Sequence, residues 1–498
     1  MKRSIALLLL GALLANSALL FGCGEQTPAD GTGTPDTAVT DPSSADTTAP
    51  EAETVPPTSV DSLPADLNFD GQNVGIASSV NVHYHGYMDV AESDTSTSVL
   101  DQSIYERNRA VEERLGITIT EHTDAASNVI GIFKKTVQAG DDTYSIAHLA
   151  DRDAFNTGLE GYLLNIDTDM PFIDLEKDYW YQEGNEVLRV ADKQYAVFGE
   201  MSLGTYDYTH LLAFNQSLIN KYNLESPYTY FENGNWTFET FASLITAVHD
   251  DLDGDGVMTD KDCYGYHSRD AVMYPLMYTA AGLRTVVNNE EGIPEFAVPG
   301  NETFVDVYDW CIATFYDGKA WYPQGNGSDF LTKSPMFQEN KALFTDISFF
   351  YVGSIREMVS DFGIIVYPKY TAEQERYYSW VEGGAKALGI SRITENKEAV
   401  GAALEAMGTL SLSDVIPTYY EINLKTKYSR DEISSRMFDV IRDSRAFDLG
   451  DTVWCNSVRE LLGGALKNQT PISSMLAKVQ KSVDAQIANA MKKLEAKN

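Results

Sequence analysis

Positive charge is scarce in this chain. Residues 4 to 106 contain neither lysine nor arginine, and over 498 residues 37 basic side chains stand against 73 acidic ones, a formal net charge of −36. Such a surface repels phosphate backbones and anionic headgroups, which excludes nucleic-acid binding. Cysteine is equally sparse: Cys23, Cys263, Cys311 and Cys455 are widely spaced and form no CxxC pair. A disulfide scaffold is therefore excluded, and buried free thiols are the expected state of the last three. No GxSxG, HExxH, P-loop or Cys-His signature occurs, and an enzyme is not expected. Carboxylates are too common for a glycosidase pair to stand out. Beyond the N-terminus no second long apolar run appears.

The chain opens on "MKRSIALLLLGALLANSALLFGC". A basic start, an apolar stretch and a small residue before a cysteine read as a secretory signal over residues 1–22. Asn16 and Ser17 interrupt the apolar run, which argues against a membrane span. "LFGC" resembles the bacterial lipobox, which implies cleavage before Cys23 and acylation of its sulfur. Residues 23–66 follow as a tether of Thr, Pro, Ala and Asp with almost no large apolar residue. Such a composition cannot bury enough surface to offset chain entropy. As a coil it would hold a folded domain about 35 Å from a membrane.

The remaining length exceeds what one core usually serves, and 43% apolar content supplies material for two lobes. "NVGIASSVNV" reads as a strand, and "LDQSIYERNRAVEERLG" as a helix capped by Asp101 with Ile104, Val111 and Leu115 on one side. "ITIT", "YSIAHLAD", "HLLAFN" and "GIIVYP" offer further strands. Strands alternating with helices predict an α/β fold with mostly parallel sheets flanked by helices. The end of the chain carries an amphipathic stripe of Ile472, Met475, Val479, Val483, Ile487, Met491 and Leu494, the pattern of a helix closing a core.

"DLDGDGVMTDKD" places Asp251, Asp253 and Asp255 at loop positions 1, 3 and 5, Gly256 at 6, the Val257 carbonyl at 7, Thr259 at 9 and Asp262 at 12. A hard cation needs six or seven oxygens at about 2.3–2.6 Å, and this spacing supplies them as EF-hand loops do. A helix precedes the loop, but "CYGYHSR" after it has no helical period. A sensor splays two helices, so the expectation is a structural Ca2+ clamp. In "HYH", His83 and His85 fall on one side of an extended segment, which suits either a two-histidine zinc site or a cleft lining.

Several stretches together resemble a known family. "YERNRAVEERLGITI", "YLLNIDTDMPFIDLEKDYW", "ADKQYAVFGEMSL", "LAFNQSLINKYNLESPYTYFENGNWTFETF" and "DFGIIVYPK" are similar in order and spacing to bacterial extracellular solute-binding lipoproteins of ABC importers, the carbohydrate-type family 1. The resemblance implies a two-lobed, type II periplasmic-binding-protein-like fold with ligand in the cleft between lobes. It implies lobe I from residues 67–200 and 368–415, and lobe II from residues 201–367 and 416–498, with crossings near "YAVFGEMSLGTYDY" and "DFGIIVYPK". By the same likeness the ligand contacts are Asp151, Arg152, Asp207, Tyr208, Tyr274, Ser348, Phe350, Trp380 and Glu382. The implied function is a monomeric receptor, anchored on the outer face of the cytoplasmic membrane, that delivers a carbohydrate, most simply an oligosaccharide, to ABC permease subunits. Two alternatives share the fold: a receptor for a non-sugar solute such as a peptide, and a glycan-binding sensor or adhesin without transport. The acidic charge disfavours an anionic solute, though a local arginine could overcome it.

Overall fold

In the computed structural model the described residues are 61–80, 84–90, 98–269, 272–324, 335–355, 358–424, 432–454 and 456–495. The signal segment, Cys23, the tether up to residue 60, His83 and Cys455 lie outside them. The first strands are β1 (Gln72–Val80), β2 (Ile117–Ala125), β3 (Ile146–Ala150), β4 (His210–Asn215), β5 (His249–Asp250), β6 (Cys263–Arg269) and β7 (Val286–Asn288). They continue as β8 (Pro294–Phe296), β9 (Trp321–Gln324), β10 (Ala342–Ser348), β11 (Phe362–Ile365), β12 (Ser379–Trp380), β13 (Lys386–Ile390) and β14 (Arg445–Ala446).

Two sheets carry the architecture. One runs β13-β3-β1-β2, with β1 parallel to both neighbours and β13 antiparallel to β3. The other runs β11-β4-β10-β6-β5, with β9 added on β6. This second sheet is mixed: β10 and β9 run parallel to β6, while β4, β11 and β5 join antiparallel. β3 is buried along its whole length and β1 over all but its ends, as a strand covered on both faces requires. Helix α1 (Val99–Leu115) turns Ile104, Val111 and Leu115 inward as its periodicity predicts. Its cap is Ser98 rather than Asp101: the serine side chain accepts from the Asp101 backbone N–H, and Asp101 sits in the first turn, where the helix dipole favours a carboxylate.

After β1 and α1, β2 leads into α2 (Ala126–Ala139), and β3 into α3 (Asp151–Leu159). The chain then leaves the first sheet along residues 197–209 and returns beside that segment, bridged antiparallel at Val197–Leu388 and Thr209–Val381. The return therefore lies at residues 381–388. "DFGIIVYP" instead supplies β11, an edge strand of the second sheet, because its four apolar residues find their partners on β4. The helical stretch Lys397–Glu421 is apolar enough to cross a membrane, yet 78% of its apolar window is buried within the fold, so it reads as a core element. Helix Ile472–Glu495 buries Ile472, Val479, Val483, Ile487 and Leu494 of the predicted stripe in the large core that includes Trp236, Phe241 and Phe344, while Met475 and Met491 pack half-buried at its edge.

Candidate functional site

The parallel strands of the first sheet end at Val80 and Ala150, and the carboxyl ends of such strands are where α/β folds place ligands. A cavity of about 520 Å3 opens there, within the range of small-molecule sites. Ser79 and Val80 from β1, Ala126 at the start of α2, and Ala150, Arg152 and Asp153 at the β3–α3 junction form one wall. Tyr84, Tyr208 just before β4, Arg269 at the end of β6, and Arg459 at the start of helix Arg459–Lys467 form the other. The return segment Glu382, Gly383, Gly384 and Lys386 closes it. The cavity thus lies between the two sheets, where the chain passes from one to the other.

Its aromatic part is Tyr84 stacked on Tyr208, centroids 3.9 Å apart, with Phe350 tilted against Tyr84 at 5.4 Å and Tyr351 edge-on to it at 5.8 Å. Asp207 anchors this group from beneath. Its fully buried carboxylate accepts from the His85 backbone N–H at 2.6 Å and the Tyr419 hydroxyl at 2.9 Å, with His85 Nδ1 3.1 Å away. Burial works to discharge His85, but the Asp207 charge and hydrogen bond outweigh it and raise its pKa.

The polar part centres on Glu382. Its carboxylate meets Arg269 Nη2 at 3.2 Å, His210 Nε2 at 3.4 Å and Arg459 Nη1 at 3.6 Å. Burial alone would raise its pKa, but Arg269, His210 and Arg459 hold it well below the usual carboxylate range. Burial likewise opposes charge on His210, yet Asp346 at 2.9 Å and Glu382 bring its pKa up to about 8. On the opposite wall Lys386 Nζ donates to Ser79 Oγ at 2.7 Å and to the Ser79 carbonyl. Burial pulls its ammonium down to about 8, against the attraction of Asp153 and Asp151. Gly384 has φ +127° and donates its N–H to Asp151 Oδ1 at 2.9 Å. A side chain there would be strained, so this glycine lets the return segment lie against α3.

Of the nine residues expected to touch a ligand, Arg152, Tyr208 and Glu382 line the cavity, and Phe350 packs behind Tyr84. Asp151 lies beneath: it accepts from the Arg152 and Gly384 amides and from Thr452 Oγ1, and burial pushes its carboxyl up to about 7. Asp207 is the aromatic anchor described above. Ser348 is buried at the end of β10. Trp380, 1% exposed, donates Nε1–H to Asp451 Oδ2 at 3.0 Å and packs on His210 below the cavity floor. Tyr274 is a core residue, its hydroxyl donating to the Phe304 carbonyl at 2.8 Å. Tyr84, Arg269, Lys386 and Arg459 went unpredicted. Tyr84 sits inside "HYH", Lys386 follows the glycine pair, and Arg269 ends a strand at the carboxyl edge. Arg459 arrives on a helix distant in sequence and carries no local signal.

The aspartate loop sits elsewhere, as the connection of the antiparallel pair β5–β6. Helix Phe238–Thr246 precedes it and strand Cys263–Arg269 follows, as the sequence predicts. Carboxylate oxygens of Asp251, Asp253 and Asp255 lie within 4.8 Å of one another. Asp251 accepts from the Gly254 and Gly256 amides, both at 2.7 Å, and Gly256 takes the turn with φ +81°. Asp262 is outside that group: its oxygens accept from the Leu252 and Thr259 amides at 2.9 and 2.6 Å. The Thr259 hydroxyl turns to Asp262, and the Val257 side chain is exposed. The loop therefore gathers three of the four expected carboxylates, and Asp262 ties its two ends together. Cys263 and Cys311 are buried free thiols. The two-histidine zinc reading rests partly on His83, outside the described residues, and the imidazole of His85 is engaged by Asp207.

No protein-family model matches the chain, and no curated protein matches it. Solved structures do. The GacH receptor of Streptomyces glaucescens, determined unliganded and with acarbose, superposes with a TM-score of 0.52 at 14% identity, covering 84% of this chain and 99% of its own. The maltose/maltodextrin-binding domain MalE of Bdellovibrio bacteriovorus, bound to maltotriose, gives 0.51 at 14% identity, covering 84% and 100%. A sugar transporter of Rhizobium etli in an open conformation gives 0.54 at 12% identity, covering 83% and 99%. The chain has the two-lobed periplasmic-binding fold of these proteins.

Proposed function

We propose, with the two-lobed binding-protein fold as premise, that this chain is an extracytoplasmic receptor that takes a carbohydrate into the interlobe cavity and delivers it to an ABC permease. One observation carries the reading. At the carboxyl edge of the first sheet, an aromatic stack of Tyr84 and Tyr208 borders the same cavity as Arg152, Asp153, Arg269 and Glu382. Sugars present C–H faces that pack on rings and rim hydroxyls that pair with carboxylates and guanidinium groups. The solutes bound by the structural relatives agree in class: acarbose for the receptor and maltotriose for the MalE domain. Acylation at Cys23 would hold the receptor on the outer face of the membrane, with residues 23–66 as its leash, and it would work as a monomer. Tyr208→Ala is expected to weaken saccharide binding by about tenfold, roughly 1.4 kcal/mol, in a calorimetric titration. Unchanged affinity would remove the stack from the site.

The aspartate loop serves this receptor as a structural Ca2+ brace. What supports this is the convergence of Asp251, Asp253 and Asp255 on a turn that Gly256 permits. Extracellular modules commonly bind calcium at about 10⁻⁴–10⁻³ M, and occupancy adds stability by mass action, about 2.7 kcal/mol at 100 times the dissociation constant. Calcium is expected to raise the melting temperature of the full chain, and chelation or Asp251→Ala to abolish the rise. Equal melting curves with calcium and with chelator would show a solvated acidic turn.

A further inference from the structure

The cavity lining reverses the sign of the molecule. Four cationic side chains, Arg152, Arg269, Lys386 and Arg459, border it against two carboxylates, Asp153 and Glu382, on a chain whose formal charge is −36. Glu382 is shared among Arg269, Arg459 and His210; Arg459 also reaches Asp451 and Glu460, and His210 also has Asp346, so Arg269 is the base for which Glu382 is the one ion-pair partner among the described residues. The Arg269 Nε is buried and has no acceptor among the described residues. A buried guanidinium nitrogen without an acceptor is costly unless something else supplies one. On the facing wall Lys386 reaches a hydroxyl and a carbonyl of Ser79, neither of which neutralises it. Its acidic neighbours are Asp153 and Asp151, and burial keeps Asp151 protonated well above the usual carboxylate range.

Resting on the receptor reading, we infer that the solute is an acidic saccharide, one whose sugar carries a carboxylate, with the anion between Arg269 and the Arg152–Lys386 wall and the sugar beside Tyr84 and Tyr208. Guanidinium groups suit this role because their forked donors match a carboxylate bidentately. The acidic exterior would slow the approach of such a solute, and only the cavity would attract it. This is the exception the sequence left open, local arginines against an acidic exterior: the charge that matters is that of the lining.

The test compares two ligands that differ only in charge: a digalacturonate and its methyl ester, titrated calorimetrically into the full calcium-supplemented chain, with maltotriose and inorganic phosphate alongside. The expected result is binding of the acid at least tenfold tighter than of the ester, weakening as salt rises. Arg152→Gln, a half-exposed position at the start of α3, should cost the acid a further tenfold. Ester or maltotriose binding as well as the acid would overturn the inference and leave the carbohydrate receptor standing. Phosphate binding with no response to either saccharide would overturn both, as would silence toward every sugar.

Discussion

Glu382→Ala is expected to be the most damaging single substitution in the cavity, at about 3–5 kcal/mol, the cost of removing one partner from a buried ion pair. The loss exceeds that of an ordinary surface bridge because the carboxylate is 16% exposed and faces three bases, Arg269, Arg459 and His210. Without it the Arg269 guanidinium loses its one ion-pair partner among the described residues, while Arg459 keeps Asp451 and Glu460. Glu382→Gln keeps the shape and one acceptor oxygen, and should recover part of the loss. Urea unfolding of the three proteins checks the order, wild type above Gln above Ala. Equal stability of wild type and Ala would mean that water already compensates these cations.

The same cluster sets a pH dependence. Glu382 titrates below its ordinary value of 4.5 in the folded state, so its contribution is present above that pH and is lost on acidification below it. His210 runs the opposite way: its pKa rises from 6.5 to about 8, so its contribution is complete below 6.5 and disappears as pH climbs through 8. Asp151 and Asp451, pushed by burial up to about 7 and about 6, favour their protonated forms in the fold and withdraw stability as pH rises from 3.8. Together these groups place maximal stability at about pH 4.5, with a decline that starts as Asp151 and Asp451 ionise and continues through His210 to about pH 8. In Glu382→Ala the acid limb of the profile should shrink.

Trp380→Ala is expected to cost about 3–5 kcal/mol, the usual range for deleting a buried tryptophan. The ring is 1% exposed, packs on His210 at 4.7 Å between centroids, and gives Asp451 its indole N–H. Trp380→Phe retains most of the apolar burial and loses that hydrogen bond, for about 1–3 kcal/mol, since its acceptor is a carboxylate. Chemical denaturation separates these costs from binding. A Trp380→Ala protein of normal stability that had lost saccharide affinity would make Trp380 a stacking platform and misplace the cavity.

Trp380 also illustrates where sequence reading stops. The family likeness set Trp380 and Glu382 after a crossing at "DFGIIVYPK", whereas Glu382 and the glycine pair lie on the return segment itself and line the cavity, with β13 following. Which side of a two-residue strand faces ligand and which faces core depends on what packs behind it. Here that is Asp451 and Arg459, about 70 residues further on. Asp151 and Asp207 stand in the same relation: each is next to a lining residue, Arg152 or Tyr208, but its carboxylate hydrogen-bonds to the scaffold around it. Periodicity was more informative for the helices, because the stripe from Ile472 to Leu494 needs only one apolar surface to settle on. The first sheet was legible as parallel from its buried runs. The antiparallel entries into the second were not, because they depend on how the chain crosses between the sheets rather than on any local pattern. The excess of lining cations was invisible for the same reason, since Arg269, Lys386 and Arg459 come from three separate segments of an acidic chain.

The most direct test of carbohydrate binding in the interlobe cavity is a thermal-shift screen of the full chain with calcium present. The panel holds neutral and acidic mono- and oligosaccharides, amino acids, short peptides and polyamines. A saccharide at 100 times its dissociation constant adds about 2.7 kcal/mol and is expected to raise the melting temperature by about a degree or more. A shift confined to amino acids, peptides or polyamines, with every saccharide silent, would contradict the account.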